Sequence, residues 1–552
     1  MDAASLRNIG IVAHIDAGKT TLSERILFYT GVERRMGEVH EGTAVMDWME
    51  EERRRGITIT AAATSVPWRE HTINLIDTPG HVDFTVEVER CMRVLDGAVL
   101  VLSGVAGVQA QSETVWRQMQ RNRVRSVVFV NQLDRPGADF LGAVKDLRER
   151  LGAPAIPIQF PIGSGRGFRS LVDLLGGEAL TFAEEDQGRA PRPCDVPPEL
   201  ADEVGVLRSE LIDTLGEEDE TVLACVLEDR EPSRDDLVAA LRQAVLEGRV
   251  VPVLCGAALR NVGIQPLLDA VIDYLPSPIE VPPVHATPLD GGPPVERAPR
   301  KDGPLCAQAF KLVADPNEDL LFTRIYSGTL RPGQKVFNPR VKRMERIARV
   351  LRMHADERRP LEGAGPGEIV ALSGAKFSVT GDTLCGHDDA VLLERLRFAD
   401  PVITRVVEPK ATGDRDHLRQ ALERLAFEDP SFHVSEDDET GQWLIAGMGE
   451  LHLEIKEHRL RDDFHLEVKV GKPRVAYREA PSKVARAESR VERVLGGHRI
   501  FGEVEVEVLP QPIEEVEERA AVDGGGVVEW AEQCPVPGPL REIGRASCRE
   551  RV

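Results

Sequence analysis

The sequence predicts a multidomain chain: a doubly wound α/β unit, then a small β-barrel, then an α+β sandwich. Three observations carry this. Over residues 1–280, apolar strand-like runs alternate with amphipathic helical stretches, the rhythm of a parallel sheet covered on both faces. From Leu305 to about Leu384 the signal changes to short alternating strands and turns, such as Leu321 to Tyr326, Ser327-Gly328 and Arg331-Pro332-Gly333-Gln334. Residues 401–482 mix helical stretches, Asp414 to Leu425 and Gly449 to Leu460, with strands at His433 to Glu436 and Trp443 to Ala446.

In the first unit, Asn8 to Val12 reads as a buried strand and Thr20 to Tyr29 as a helix. The loop between them is Ala13-His14-Ile15-Asp16-Ala17-Gly18-Lys19-Thr20, followed by Thr21. It gathers backbone N–H groups and a helix N-terminus around one point, which is an anion site. Lys19 is expected to reach β- and γ-phosphates, and the Thr20 hydroxyl to ligate Mg2+. Ala13 stands where such loops usually carry their first glycine. Next, Asp77-Thr78-Pro79-Gly80-His81 follows the apolar run Ile73 to Ile76. A carboxylate there can hold Mg2+ through water, Gly80 lets a backbone N–H approach a γ-phosphate, and His81 can position an attacking water.

Asn131-Gln132-Leu133-Asp134 follows the strand Ser126 to Val130. Asp134 can accept from guanine N1–H and the exocyclic amine together, which adenine cannot match. Asn131 is expected to tie this loop to the phosphate loop. Gln132 stands where lysine is usual, and its methylenes still cover a base. After the strand Val250 to Leu254 comes Cys255-Gly256-Ala257-Ala258, where a backbone N–H, that of Ala258, is placed to read guanine O6. Ala257 replaces a more usual serine. Each segment alone has a plainer reading as a strand-ending turn. Four of them in order at four strand ends point to a guanine nucleotide.

A fifth segment, Arg54-Arg55-Gly56-Ile57-Thr58-Ile59-Thr60, lies between the first two loops, where a mobile switch belongs. Thr58 can complete a Mg2+ shell only while a γ-phosphate is present. Read with Arg7-Asn8-Ile9-Gly10-Ile11, Met46-Asp47-Trp48-Met49-Glu50 and Asp77 through Phe84, it resembles elongation factor G, the translational GTPase family of ribosomal translocation. The resemblance runs from about Leu6 to Glu479. It implies a P-loop GTPase domain at 1–280 with a helical insert at about 160–250, and a translation-factor β-barrel at 285–400. A ferredoxin-like third domain at 401–482 and part of a fourth at 483–541 would follow. It also implies GTP and GDP as ligands, Mg2+ as cofactor held by Thr20, Thr58 and Asp77, and His81 as the catalytic residue. The implied partners are ribosomal RNA and ribosomal proteins and the tRNA–mRNA complex.

Composition agrees. A 42% hydrophobic and 29% charged chain of 552 residues fits several globular domains. No apolar run approaches membrane-spanning length and no signal-peptide pattern opens the chain, so a cytoplasmic protein is expected. The eight cysteines contain no Cys-x-x-Cys pair, which argues against a zinc site or a disulfide framework. Cys91, Cys225, Cys255 and Cys385 read as small core residues. A net charge of −23 excludes wholesale nucleic-acid binding but not contact through local patches. The candidate patches are Arg117 to Arg125, Arg340 to Arg352 and Lys456 to Arg461, with ordinary solvated faces as the competing reading.

Between Gln159 and Arg249 a charged, helix-rich insert is expected, including Glu184 to Pro198, Leu200 to Leu215 and Asp235 to Glu247. Leu275 to Pro283 reads as a stiff, proline-rich hinge. His452, in Ala446-Gly447-Met448-Gly449-Glu450-Leu451-His452-Leu453-Glu454, reads as a packed residue rather than a metal ligand, despite Glu450 and Glu454. The third domain is expected to pack against the first according to the switch state. Val494 to Val504 looks like a shortened, less basic opening of the family's fourth domain. Glu542 to Val552 back-translates onto a common sequencing-library adapter. The native sequence is therefore expected to depart from this text near Arg541, and no function attaches to Cys548. A monomer is expected.

The leading reading is a ribosome-stimulated GTPase acting in translocation or recycling. Two others stand beside it. A ribosomal-protection factor against tetracycline is one, although Cys255 to Pro278 looks more like elongation factor G. The other is a GTP-binding regulatory module with weak turnover, which Gln132 and Ala257 favour and Thr58 and His81 oppose.

Overall fold

The computed structural model describes residues 2–37, 44, 46, 49–314, 318–354, 357–394, 400–437, 440–473, 483–495 and 498–508. Asp47, Trp48 and the tail from 542 lie outside the described residues.

The strand Leu6–Ala13 is buried at every position, as a central parallel strand covered on both faces must be. It pairs in parallel with His71–Asp77 on one side and Gly97–Ser103 on the other. Arg125–Asn131, Val251–Cys255 and Ala155–Pro157 continue the parallel sheet, while Ala62–Trp68 pairs antiparallel with His71–Asp77 on the other side. The loops singled out for nucleotide binding leave the carboxyl ends of these strands, the edge where open α/β sheets bind ligands.

The expectation of a helix-rich insert needs correction at its start. Its first half is a four-stranded antiparallel sheet of Gln159–Ile162, Ser170–Asp173, Glu178–Thr181 and Arg192–Cys194. Glu184 to Pro198 is turn and edge strand, not helix. Gln187 and Gly188 both have positive φ, and Pro191, Pro193, Pro197 and Pro198 deny a helix its hydrogen bonds. Helices Ala201–Glu218, Glu220–Leu227 and Arg234–Glu247 follow.

The proline-rich hinge is packed at its start, Leu275 to Pro278, and exposed at Ile279, Glu280, Pro282 and Pro283. Leu275 and Ser277 are buried, and a Cβ on Gly367 (φ +84°) would meet the Pro278 ring at 2.7 Å. Ser277 N–H and Oγ–H both donate to Glu280 Oε2, at 2.8 and 2.7 Å, and Arg242 pairs with the same carboxylate at 2.7 Å. Burial pushes the Glu280 carboxyl up, but these Ser277 and Arg242 contacts outweigh it and hold the group down at about 2, against an ordinary 4.5. The folded pKa is the depressed one. The contribution to stability is therefore complete above about pH 4.5 and fades as pH falls through about 2. Glu280→Gln should accordingly flatten the acid limb of a stability–pH profile in that window, read by denaturant melts.

The barrel joins the first domain through buried polar contacts. Arg324 Nη2 pairs with Asp96 Oδ1 at 2.6 Å, both almost fully buried, and Asn8 Nδ2 donates to Asp96 Oδ2 and to Gly367 O. Thr64 also forms a bridge with His354, so the barrel's Arg349–His354 strand extends the first sheet. The third domain runs strand Ile403–Pro409, helix Arg415–Glu428, strands His433–Glu436 and Trp443–Gly447, helix Glu450–Asp462 and strand Val468–Gly471. This βαββαβ order in one antiparallel sheet is the ferredoxin-like arrangement. A second compact unit starts at Arg474, and its described part is the hairpin Ala485–Leu495 with His498–Val508. Among the described residues no helix is long and apolar enough to cross a membrane.

Candidate active site

The phosphate loop starts where the buried strand ends. Asp16 and Gly18 adopt left-handed backbone, with φ of +63° and +86°, turning successive N–H groups inward. Gly18 is also required for space: a Cβ there would sit 2.5 Å from Asn131 Nδ2. That amide donates to Ala17 O at 2.8 Å, and Gln132 Nε2 donates to Asp16 O at 2.8 Å. His14 is buried with Nδ1 3.2 Å from Ser112 Oγ, and burial pushes its imidazole down from the usual value. Ile15 N–H donates to Gln111 Oε1 at 2.9 Å.

Five side chains converge beyond the loop. Lys19 Nζ lies 2.6 Å from Asp77 Oδ2 and 2.8 Å from Thr58 Oγ1. The hydroxyls of Thr20 and Thr58 are 3.4 Å apart, and Ser23 Oγ donates to Asp77 Oδ1 at 3.1 Å. Lys19, expected to reach phosphates, here neutralises a fully buried carboxylate. Two hydroxyls and one carboxylate are hard oxygen donors and fit Mg2+, which keeps several waters and takes phosphate oxygens besides one or two carboxylates. Among the described residues no cluster of three His, Cys, Asp or Glu offers an all-protein metal cage. Glu450 and Glu454 instead pair with Arg405 and Arg55, and His452 Nε2 shares a hydrogen bond with Asp429 Oδ2, 2.9 Å away.

The pocket over this cluster has a volume of about 640 Å3. His14, Ile15, Asp16, Gly18, Lys19, Thr20, Thr21, Thr58, Gly80, His81, Asn131, Gln132 and Asp134 line it. Ala17, Asp77, Gly256, Ala257 and Ala258 are buried behind that wall. Gly80 sits against the phosphate loop, 3.4 Å from Ala13 O to its Cβ position.

At the end of the pocket expected from sequence to take the base, Asp134 Oδ2 faces Arg260 Nε at 3.7 Å, and Arg260 reaches on to Glu184 of the insert at 3.4 Å. The Ala258 N–H, assigned from sequence to guanine O6, is held by Asn131 Oδ1 at 2.9 Å. Reading O6 with it requires that bond to be exchanged. Gln132, expected from sequence to cover a base, also makes structural contacts. It sits at φ +66°, and its Oε1 accepts from Ser103 Oγ at 2.7 Å while its Nε2 holds the phosphate loop. Gln132→Ala is therefore expected to weaken GTP affinity by about threefold to tenfold, the worth of one net hydrogen bond, in a fluorescent-nucleotide titration.

The switch segment is anchored by a residue that sequence reasoning missed. Glu52 is buried, and its Oε1 accepts N–H groups of Ile59 and Thr60 at 2.9 and 3.0 Å. Ile59 and Phe84 then form an apolar cluster with Ile455 of the third domain, and Arg55 pairs with Glu454 at 3.1 Å. Ser23, Gln111, Ser103 and Arg260 were also missed. Each acts through a contact far along the chain, and only a Ser or Gln set on a helix facing the loop hinted at it.

The first domain matches the family model described as the elongation factor Tu GTP binding domain, over residues 4–277. Elongation factor Tu domain 2 matches residues 319–385, and Elongation Factor G, domain III, matches residues 398–472. The chain is also similar to the crystal structure of ttk003000868 from Thermus thermophilus. The two share 31% identity over 91% of this chain and 73% of that one, with a TM-score of 0.77. The chain belongs to the elongation factor G family of translational GTPases. As a translational GTPase it binds guanine nucleotide and hydrolyses GTP. The three arginine-rich stretches considered for RNA carry many internal ion pairs. Arg117 pairs with Glu113, Arg340 with Asp382, Arg352 with Glu368 and Lys456 with Asp429. Buried thiols at Cys91, Cys225, Cys255, Cys306 and Cys385 are core side chains.

Proposed function

We propose that this translational GTPase is switched on by the ribosome and uses hydrolysis to drive tRNA–mRNA translocation or ribosome recycling from the cytoplasm, as a monomer. One observation carries the reading. The segment bearing Thr58 faces the nucleotide pocket on one side and the third domain on the other, through Ile59, Phe84 and Ile455. Gain or loss of the γ-phosphate at Thr58 and Gly80 is thereby linked to the seat of a whole domain.

Lys19 and the loop N–H groups would bind the phosphates, with Thr20, Thr58 and Asp77 organising Mg2+. Bound there, the ion would neutralise charge developing on phosphate oxygens. His81 would orient water in line with the γ-phosphate, a positioning role without covalent chemistry. Asp134 would select guanine, with Asn131, Gln132 and the Gly256-Ala257-Ala258 turn shaping its pocket.

Turnover of GTP by the purified protein, with and without ribosomes, tests this. Strong stimulation is expected. Tight GTP binding with no stimulation would overturn the ribosomal reading and favour a regulatory module.

A further inference from the structure

The helix Glu450–Asp462 starts at Gly449, which has no side chain to cap it. A carboxylate from the first domain takes that role. Asp83 Oδ2 accepts the Leu451 N–H at 3.1 Å, the amide that an N-cap side chain ordinarily serves. Gly449 has φ −174° and ψ 175°, extended backbone that any residue adopts. Glycine is needed there for room. A Cβ at 449 would fall within 2.5 Å of Cγ and both oxygens of the Asp83 carboxyl group.

Asp83 also holds the catalytic candidate. Its main-chain N–H donates to His81 Nδ1 at 3.3 Å, and its Oδ1 lies 3.6 Å from the same nitrogen. With Nδ1 accepting, a neutral imidazole carries its proton on Nε2. Phe84, the next residue, places its ring 6.1 Å from both His81 and His452, the latter on the capped helix. One short segment therefore grips the His81 ring with its backbone and the third-domain helix with its carboxylate.

We infer that Asp83 is a positioning residue, an inter-domain helix cap that ties the orientation of His81 to the seat of the third domain. The helix cannot leave without uncovering the Leu451 amide and releasing the carboxylate beside the His81 ring. Movement of the third domain is thus felt at the water-positioning group, and the reverse holds by linkage. The inference rests on the reading of His81 given above, although the cap itself does not.

The test compares ribosome-stimulated GTP turnover of the wild type, Asp83→Ala, Asp83→Asn and Gly449→Ala, with hydrogen exchange of the Leu451 amide in the full-length protein. Ala at 449 pushes the Asp83 carboxylate aside while leaving every residue of the nucleotide pocket intact. Its stimulated kcat should fall by about threefold to thirtyfold, the range set by loss of one cap, while KM for GTP and unstimulated turnover stay as in the wild type. Leu451 exchange should quicken by a similar factor in Gly449→Ala and Asp83→Ala. Asp83→Asn keeps an acceptor oxygen and should recover most of the rate. Adding Gly449→Ala to Asp83→Ala should cost nothing further, since both remove one contact. Wild-type kcat in Gly449→Ala, effects that add in the double variant, or unchanged Leu451 exchange would each overturn the proposal. A wild type without ribosomal stimulation would instead overturn the parent reading, and the exchange data would still decide the cap.

Discussion

His81→Ala is expected to bind GTP as the wild type does and to lose ribosome-stimulated turnover by about a hundredfold to a thousandfold, the scale of removing one positioned polar group from a reacting centre. The side chain lines the pocket beside Gly80 and, among the described residues, makes no bond to the loop Ala13 to Thr20 or to Asn131, Gln132 and Asp134. Its removal therefore leaves the binding contacts in place. In kinetic terms kcat falls while KM for GTP holds, because the lost interaction matters only as water attacks. Single-turnover hydrolysis with ribosomes in excess, paired with an equilibrium nucleotide titration, separates the two quantities. Full stimulated turnover in the variant would remove His81 from the mechanism.

Lys19→Ala should damage two properties at once. Lys19 is the ionic partner of Asp77, whose side chain is fully buried and otherwise meets the Ser23 hydroxyl. Deleting the ammonium strands a carboxylate in the interior, a loss of about 3–5 kcal/mol for breaking a buried pair from one side. It also strips the phosphate site of its cation, weakening GTP by about 2–5 kcal/mol. Denaturant unfolding of the nucleotide-free protein reads the first effect, and nucleotide titration reads the second. The double variant Lys19→Ala with Asp77→Asn separates them. Neutralising the stranded carboxylate should restore much of the stability but none of the affinity. A single variant as stable as the wild type would mean that Asp77 is not held by Lys19.

Much of the first domain was legible in the sequence because its signals are local. The strand Leu6–Ala13, buried throughout, carries the run Ile9 to Ala13 without a polar side chain, and the loop that follows turns its amides inward. The same holds for the ends of His71–Asp77 and Arg125–Asn131, where short polar segments interrupt apolar strands. Composition and pattern also placed the helices Arg415–Glu428 and Glu450–Asp462 of the third domain to within a few residues. The insert was harder. Its strands are three or four residues long, too short for periodicity, and the charged stretch Glu184 to Pro198 reads as part of the helix-rich insert although Gln187 and Gly188 are left-handed.

The chemistry proposed for the pocket is written in the order of the residues: a cradle of amides, a lysine, hydroxyls and a carboxylate suited to Mg2+, a histidine after a permissive glycine, and an aspartate proposed to read guanine. Which group holds which is settled only once the chain has folded. Lys19 gives its charge to Asp77, Gln132 clamps Asp16 and Ser103, Arg260 bridges Asp134 to the insert, and Asp83 caps a helix in another domain. The physical reason is the range of the forces. Burial patterns and backbone geometry are set between near neighbours along the chain. A hydrogen bond or ion pair acts only across a few ångströms of space, and only folding brings residues 83 and 451 that close.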